Sequence, residues 1–346
     1  MHLSKSIRPS IFTCCSQPCT AIPKLTHKKI YNVSSSFVPR RAYSQGYSGR
    51  LSGRTCMVTG GTSGIGFAIA ERFLREGAEH IILVGRSHER LLKAASKLEG
   101  SRLRSHDRNV GENNADQIQR SPETSDLLSM PQGTLVQSSE RLSLLVGDVA
   151  DAELWLRELE KAMAKVDILI NAAGISHSNI LPKTSTSEIT ATLRTNLEGA
   201  ILTSRALLRA SLRNRLRHTT SSTFDSRPAS KCIINISSLL ALKGGTGAVP
   251  YAASKAGLLG LTRSLTVEAA ASLRDVVVRS NAIVPGYIET PMISEFSEGE
   301  NQRLKNTIPL GRFGKPDEVA DAAAFLAGNE YANNCVINLD GGLSAV

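Results

Sequence analysis

Seven short apolar runs, separated by stretches long enough for a helix, constrain this 346-residue chain more than any other feature. They fall at residues 55–58, 81–84, 142–146, 166–170, 233–236, 276–283 and 336–339. Runs of four to eight aliphatic residues bounded by polar or turn residues read as strands buried on both faces. Between them the apolar spacing turns helical, as in residues 65–76, which stop at Gly77. Regular strand–helix alternation places the strands parallel and covers both faces of the sheet with helices. Right-handed crossovers then give an α/β fold, a single-domain Rossmann-type doubly wound parallel sheet.

The first fifty residues do not share this pattern. Residues 1–43 carry seven basic side chains (Lys5, Arg8, Lys24, Lys28, Lys29, Arg40 and Arg41), many serines, and no acid; the first acid in the chain is Glu71. That composition is that of a mitochondrial transit peptide, and Arg41-Ala42-Tyr43-Ser44 resembles a matrix-protease site. The expectation is a cleaved segment 1–43, a folded domain over 52–346, and a place in the mitochondrial matrix. The formal net charge of +10 then loses its nucleic-acid connotation. Without those seven residues, 34 of the 41 basic side chains remain against 31 acidic ones, about +3. No apolar run approaches the roughly 18 residues that a membrane helix needs, so no membrane insertion is expected.

Cys14, Cys15 and Cys19 belong to that leading segment, and Cys56, Cys232 and Cys335 stand far apart. Neither disulfide pairing nor a zinc site follows from such spacing, and no metal is expected. Two stretches break the alternation. Residues 100–143 are rich in Ser, Asn, Gln, Arg and acids and lack aromatic residues, and residues 218–230 are a shorter segment of the same kind. Both read as flexible surface insertions with too little apolar surface to order themselves.

The first apolar run leads into Thr59-Gly60-Gly61-Thr62-Ser63-Gly64-Ile65-Gly66, and a helical pattern follows. A glycine loop between strand and helix lets a pyrophosphate approach the backbone and meet the unpaired N–H groups of the helix start. A nucleoside-triphosphate loop would need Lys and then Ser or Thr after its last glycine, whereas Phe67 follows Gly66. The second run ends in Gly85-Arg86-Ser87. An acid there would accept hydrogen bonds from the ribose hydroxyls, while a guanidinium suits a 2′-phosphate. NADP(H) is therefore expected rather than NAD(H), although Ser63 stands where a second basic side chain would strengthen such a site.

Tyr251 and Lys255, in Val249-Pro250-Tyr251-Ala252-Ala253-Ser254-Lys255, lie one helical turn apart and on one face. Ser238 precedes Tyr251 by thirteen residues. A phenol titrates near ~10, and a neighbouring ammonium favours the phenolate. The pair is thus a candidate proton donor with a lowered pKa.

Taken in order, the glycine loop, Asp148-Val149, Asn171-Ala172-Ala173-Gly174, Asn196, Ser238, Tyr251 with Lys255, and Pro285-Gly286 resemble the short-chain dehydrogenase/reductase family. The likeness spans residues 52–346 apart from the two insertions. It implies a cofactor site of Gly60, Thr62, Ser63, Gly64, Ile65, Gly66, Arg86 and Ser87, with Asp148 and Val149 at the adenine. Asn171, Ala172, Ala173 and Gly174 would line the cleft, and Pro285, Gly286, Ile288 and Thr290 would flank the nicotinamide. Tyr251 would be the general acid, Lys255 would tune it and hold the ribose, and Ser238 would orient the substrate carbonyl. Asn196 would hold a water connecting Lys255 to solvent. Residues 292–307 would form a lid.

Residues 281–290 and 308–319 resemble the branch that reduces 3-oxoacyl groups on acyl carrier protein. That likeness implies NADPH-dependent reduction of a ketone to a secondary alcohol in mitochondrial fatty-acid synthesis. Two other readings share the motifs: a carbonyl, hydroxysteroid or quinone reductase acting on a small ketone, and an NADP-binding scaffold subunit of a hetero-oligomer. Arg205, Arg209, Arg213 and Arg217 recur every four residues with Arg215 nearby, and Arg274 is a further cation. This stripe is either a dock for an acidic carrier or a solvated basic helix end. The resemblance also implies a homotetramer or hetero-oligomer built on the Tyr251 helix and the next one. Ala252, Ala253, Ala256, Gly257 and Gly260 give that helix a small face.

Overall fold

All seven apolar runs contribute strands to one sheet in the computed structural model, which describes residues 49–106, 130–218, 230–273, 276–293 and 297–346. The expected leading segment 1–43, residues 107–129 and 219–229, and Arg274 lie outside the described residues. The strands are β1 (Thr55–Thr59), β2 (His80–Gly85), β3 (Leu135–Ser139), β4 (Leu142–Val146), β5 (Ile168–Asn171), β6 (Lys231–Ile236), β7 (Val278–Pro285) and β8 (Val336–Leu339). Their spatial order is β3-β4-β2-β1-β5-β6-β7-β8. Every pairing is parallel except that of β3 with β4.

Period-two alternation sorts the strand side chains into two cores. Cys56 and Val58, Ile81 and Leu83, and Ile168 and Ile170 face one side, where they meet α1 (Gly64–Arg75), α2 (His88–His106) and α8 (Pro316–Gly328). Met57, Ile82, Val84 and Leu169 face the other, against α3 (Leu156–Met163), α5 (Gly199–His218) and α6 (Val249–Ser272). Two shorter helices, α4 (Thr186–Leu193) and α7 (Glu298–Thr307), follow the loops at the carboxyl ends of β5 and β7. The strand order reverses at β1, whose neighbours are β2 and β5. In open α/β sheets that switch point opens the ligand cleft.

One expectation needs correcting. Residues 100–143 are not wholly an unstructured insertion: α2 continues to His106, and β3 forms at 135–139. The chain reverses after Ser139, which pairs with Leu142, and β3 then adds to the outer edge of β4. Ladder hydrogen bonds order this strand rather than side-chain burial, since its residues are exposed or only half-buried.

Candidate active site

The glycine loop is folded tightly against the exit of β5. Gly60 has a φ of 67°, and a Cβ there would lie 2.8 Å from Ala173 Cα. A Cβ on Gly66 would strike the Gly60 carbonyl, so the third glycine lets α1 pack onto its own loop. Thr59 fixes the pair: its Oγ1 donates to the Ile170 carbonyl and accepts from the N–H groups of Ala172 and Ala173, each at 3.2 Å. The N–H groups of Gly64, Ile65 and Gly66 in the first turn of α1 have no intrahelical acceptor. Ser63, at the N-cap, makes no side-chain cap to them. A row of backbone donors beside glycines that admit a close approach fits a dinucleotide pyrophosphate.

Arg86 stands at the end of β2 with its side chain 62% exposed and Nη1 3.7 Å from Asp148 Oδ2. The other Asp148 oxygen accepts from the Ala150 N–H at 2.9 Å and caps the turn after β4. Ser87 accepts from the Arg90 N–H at 3.3 Å. Val149 is buried among the core residues on the α3 and α5 side. Arg90, to which sequence reasoning assigned nothing, also reaches the glycine loop, where its Nη2 donates to Ser63 Oγ at 3.3 Å. Its place in an ordinary helix-start pattern gives no local sign of that contact.

Two asparagines make side-chain bonds that the sequence alone did not show. Asn171 is buried, and its side chain points away from the cleft. Its amide donates to Asn235 Oδ1 at 2.8 Å and Ser204 Oγ at 3.3 Å, and its oxygen accepts from Thr203 at 2.8 Å. It ties β5 to β6 and α5, which leaves Ala172, Ala173 and Gly174 as the cleft wall. Asn196 lies in a π-turn, Arg194–Glu198, between α4 and α5. Its Oδ1 accepts from the Ile175 N–H at 2.8 Å, and its Nδ2 donates to the Ile175 carbonyl at 2.9 Å and Ser254 Oγ at 3.0 Å. With both donors used, the side chain braces the loop after β5, and its Oδ1 keeps one acceptor site beside Gly174 and the Lys255 ammonium. Inserted π-turns leave backbone carbonyls without their usual partners and recur at functional sites.

Pro250 sits in the first turn of α6, where its missing N–H is harmless, and presents Tyr251 one turn before Lys255. The Lys255 Nζ is 5.6 Å from the Tyr251 ring centroid and donates to the Ile236 carbonyl at 2.9 Å. A Cβ on Gly174 would lie 3.3 Å from that Nζ, so the β5 exit closes over the ammonium. Ser237 and Ser238 diverge as strand neighbours do. Ser237 is buried and donates to the Lys255 carbonyl at 2.8 Å, fastening α6 to β6. Ser238 caps the turn after β6, its Oγ accepting from the Leu240 N–H at 3.2 Å, and it lies near enough to the Tyr251 phenol to lower its pKa.

Burial governs both titrations. It pushes the Tyr251 phenol above its ordinary value, with Ser238 offsetting part of the rise. It pushes the Lys255 ammonium down to about 8. The expected lowering of the phenol is not seen here: loss of hydration dominates, and what opposes it is Ser238.

The segment after β7 completes the cleft. A Cβ on Gly64 would lie 3.2 Å from Thr290 Cγ2, which places residues 285–290 beside the glycine loop. Glu289 N–H donates to the Gly314 carbonyl, and Gly314 N–H to the Tyr287 carbonyl, both at 2.9 Å. This leaves the N–H and C=O of Ile288 directed to the opposite side, while its side chain is buried in the core.

Residues 133–344 match the family described as enoyl-(acyl carrier protein) reductase, and residues 54–120 match short chain dehydrogenase. Similar proteins include the 3-oxoacyl-[acyl-carrier-protein] reductases of Bos taurus and Homo sapiens. The first is 32% identical over 84% of this chain and 98% of its own length, the second 31% over 85% and 99%. The chain belongs to the short-chain dehydrogenase family. As a short-chain dehydrogenase it is an NAD(P)-dependent oxidoreductase that interconverts C=O and CH–OH groups.

Solved structures of this family superpose well. A putative NAD(P) dependent gluconate 5-dehydrogenase from Beutenbergia cavernae, with NADP bound at low occupancy, aligns at TM-score 0.66 and 28% identity over 87% of this chain and 99% of its own. A putative short-chain alcohol dehydrogenase from Sinorhizobium meliloti aligns at 0.65 and 30% identity, covering 85% and 98%. In this dehydrogenase the described part of the stripe on α5 is engaged: Arg205 pairs with Glu153 at 3.7 Å, and Arg209 and Arg213 pair with Glu160 at 3.3 and 2.7 Å, while the side chains of Arg215 and Arg217 lie outside the described residues.

Proposed function

We propose that this dehydrogenase uses NADPH to reduce the ketone of a 3-oxoacyl group on acyl carrier protein to the 3-hydroxyacyl product, in the mitochondrial matrix. The observation that carries the chemistry is the gathering of two hydroxyls, Ser238 and Tyr251, beside the Lys255 ammonium. A carbonyl oxygen entering between them accepts from both. A bound nicotinamide would supply the hydride to the carbonyl carbon. Negative charge then grows on the oxygen, and Tyr251 delivers the proton while Ser238 holds the oxygen in line. The raised phenol pKa keeps Tyr251 protonated at neutral pH, as a donor must be. Lys255 holds the nicotinamide ribose, and its charge stabilises the phenolate left after transfer. Asn196 acts through the loop after β5 rather than on the substrate.

The glycine-loop N–H groups would bind the pyrophosphate, Arg86 the 2′-phosphate, and Ala172, Ala173 and Gly174 the face of the dinucleotide. The backbone of Ile288 and the side chain of Thr290 would meet the carboxamide. The carrier-bound substrate is supported by the names of relatives that match along nearly their whole length. The matrix location is supported by the basic, acid-free segment 1–43, proposed to be removed after import. Purified protein lacking residues 1–43 should oxidise NADPH with acetoacetyl carrier-protein thioester, and much faster than with free small ketones. Activity on free ketones alone would refute the substrate; NADPH binding without either activity would favour the scaffold reading. Tyr251→Phe should keep NADPH binding within a few-fold while ketone reduction falls at least ~100-fold. A smaller loss would remove Tyr251 as the acid.

A further inference from the structure

We propose that Arg90 is a second phosphate-selecting guanidinium, reaching from the first turn of α2 back to the glycine loop and setting the preference for the 2′-phosphorylated dinucleotide together with Arg86. The inference rests on the NADPH reading and names a residue that enforces it.

Arg90 Nη2 donates to Ser63 Oγ at 3.3 Å, joining two residues 27 positions apart. The Arg90 N–H is itself fixed by Ser87 Oγ. A Cβ on Gly85 would lie 3.1 Å from Thr62 Cγ2, so the end of β2 and the glycine loop are in contact. Arg86 and Arg90 therefore border the same corner of the cleft.

The two guanidiniums differ in what already holds them. Arg86 faces the Asp148 carboxylate. Among the described residues no carboxylate lies within ion-pair distance of Arg90, and its sequence neighbour Glu89 is taken by Lys93 at 2.6 Å. The partner Arg90 does have is a neutral hydroxyl that caps nothing on α1. Charge-assisted bonds to an anion are roughly twice as strong as neutral ones, so a phosphate arriving at this corner outcompetes Ser63 for the guanidinium. Ser63 stands where a basic side chain in the loop would strengthen the site; α2 brings that charge from elsewhere in the chain.

Calorimetric titration of the full domain with NADP⁺, NAD⁺ and adenosine 2′,5′-bisphosphate separates the possibilities. Arg90→Ala should weaken NADP⁺ and the bisphosphate at least tenfold and NAD⁺ less than twofold. Arg90→Gln, which keeps a donor for Ser63 without the charge, should behave the same way. Equal weakening of NADP⁺ and NAD⁺ would make Arg90 a brace for the loop and overturn the proposal, as would no change in either. If the unmodified protein prefers NADP⁺ and both variants keep that ratio, only this inference fails. If the unmodified protein binds NAD⁺ as tightly as NADP⁺, the NADPH reading fails and takes this inference with it.

Discussion

Tyr251 and Lys255 shift in opposite directions for one reason: burial disfavours whichever form is charged. The phenol rises and the ammonium falls to about 8. The two shifts act differently on the reaction. A raised phenol stays a proton donor across the physiological range. A lowered ammonium loses its charge just above it, and with it the charge-assisted bonds offered to a ribose. The value of kcat/KM for NADPH, which reports groups of the free enzyme, should therefore be level near pH 6–7 and fall as pH rises through about 8. A profile flat to pH 9.5 would mean that Lys255 is not needed as a cation. At the opposite end of the sheet, Arg279 shows what a fully used buried charge looks like. It is 1% exposed, and its nitrogens donate to Ser230 Oγ and to the carbonyls of Leu326, Ala327 and Ala332 at 2.7–2.9 Å. Two of those carbonyls end α8, where unpaired acceptors and the helix dipole both favour a cation. Arg279→Met fills the volume but leaves the acceptors buried and unpaired, and should cost about 3 kcal/mol or more in denaturant unfolding. A cost below ~1 kcal/mol would show that water reaches those carbonyls.

The elements that sequence reasoning recovered are those whose side chains are sorted by burial. The six inner strands announced themselves because both faces are buried; β8, at the far edge, is exposed or half-buried along its length and was found from its short apolar run alone. β3 did not announce itself: its ordering comes from backbone pairing along β4, which leaves no pattern in its Leu-Val-Gln-Ser-Ser sequence. The same distinction runs through the site. Tyr251, Lys255, Ser238 and the glycine loop were legible because spacing alone sets their geometry. Asn171 was legible as a residue, but its side-chain partners were not, since only the packing of β5 beside β6 and under α5 brings Asn235, Thr203 and Ser204 to its amide. The end of α1 carries a test at this scale. Glu76 closes the helix, a position where a carboxylate opposes the dipole, yet Arg50 grips it with a two-bond fork at 2.6 and 2.8 Å and Arg72 adds a third bond at 2.9 Å. The Arg50 bonds, more than any other factor, hold its pKa down to about 2. A carboxylate lowered by folding contributes stability that is complete above its unfolded value of about 4.3. That contribution is lost as pH falls towards 2. Glu76→Gln should thus lower Tm by a constant amount from pH 7 to 5, with the gap to the unmodified protein shrinking between pH 4 and 2. A gap independent of pH would show that the loss is one of packing or hydrogen bonding rather than charge.

For the whole molecule, the doubly wound sheet follows from alternation and handedness, and the cleft from the reversal of strand order at β1. Assembly is a different problem, because an interface looks from one chain like ordinary exposed surface. On α6, the helix that carries Tyr251, Ala253 and Ala256 are exposed, Val267 is 71% exposed, and a Cβ on Gly260 would meet nothing within 4 Å. These positions recur at three-, four- and seven-residue intervals, so they form one stripe of small or apolar surface along the helix. Lys255 projects from the same helix and is buried, so the stripe is displayed by an element that the site also depends on. A stripe without bulk lets a second copy of the helix pack closely across a two-fold axis, where each residue meets its own symmetry mate or a neighbour. Lysine at 256 and 260 would then bring four ammoniums together at one interface, and like charges in contact there cost several kcal/mol. The family resemblance implies a tetramer, of which this two-fold contact would be one interface; the protein at micromolar concentration should then sediment as a tetramer, and the Ala256→Lys, Gly260→Lys variant as a smaller species with an unchanged circular dichroism spectrum. A variant that stays tetrameric would place the interface elsewhere, and a monomeric unmodified protein would remove the stripe's role altogether.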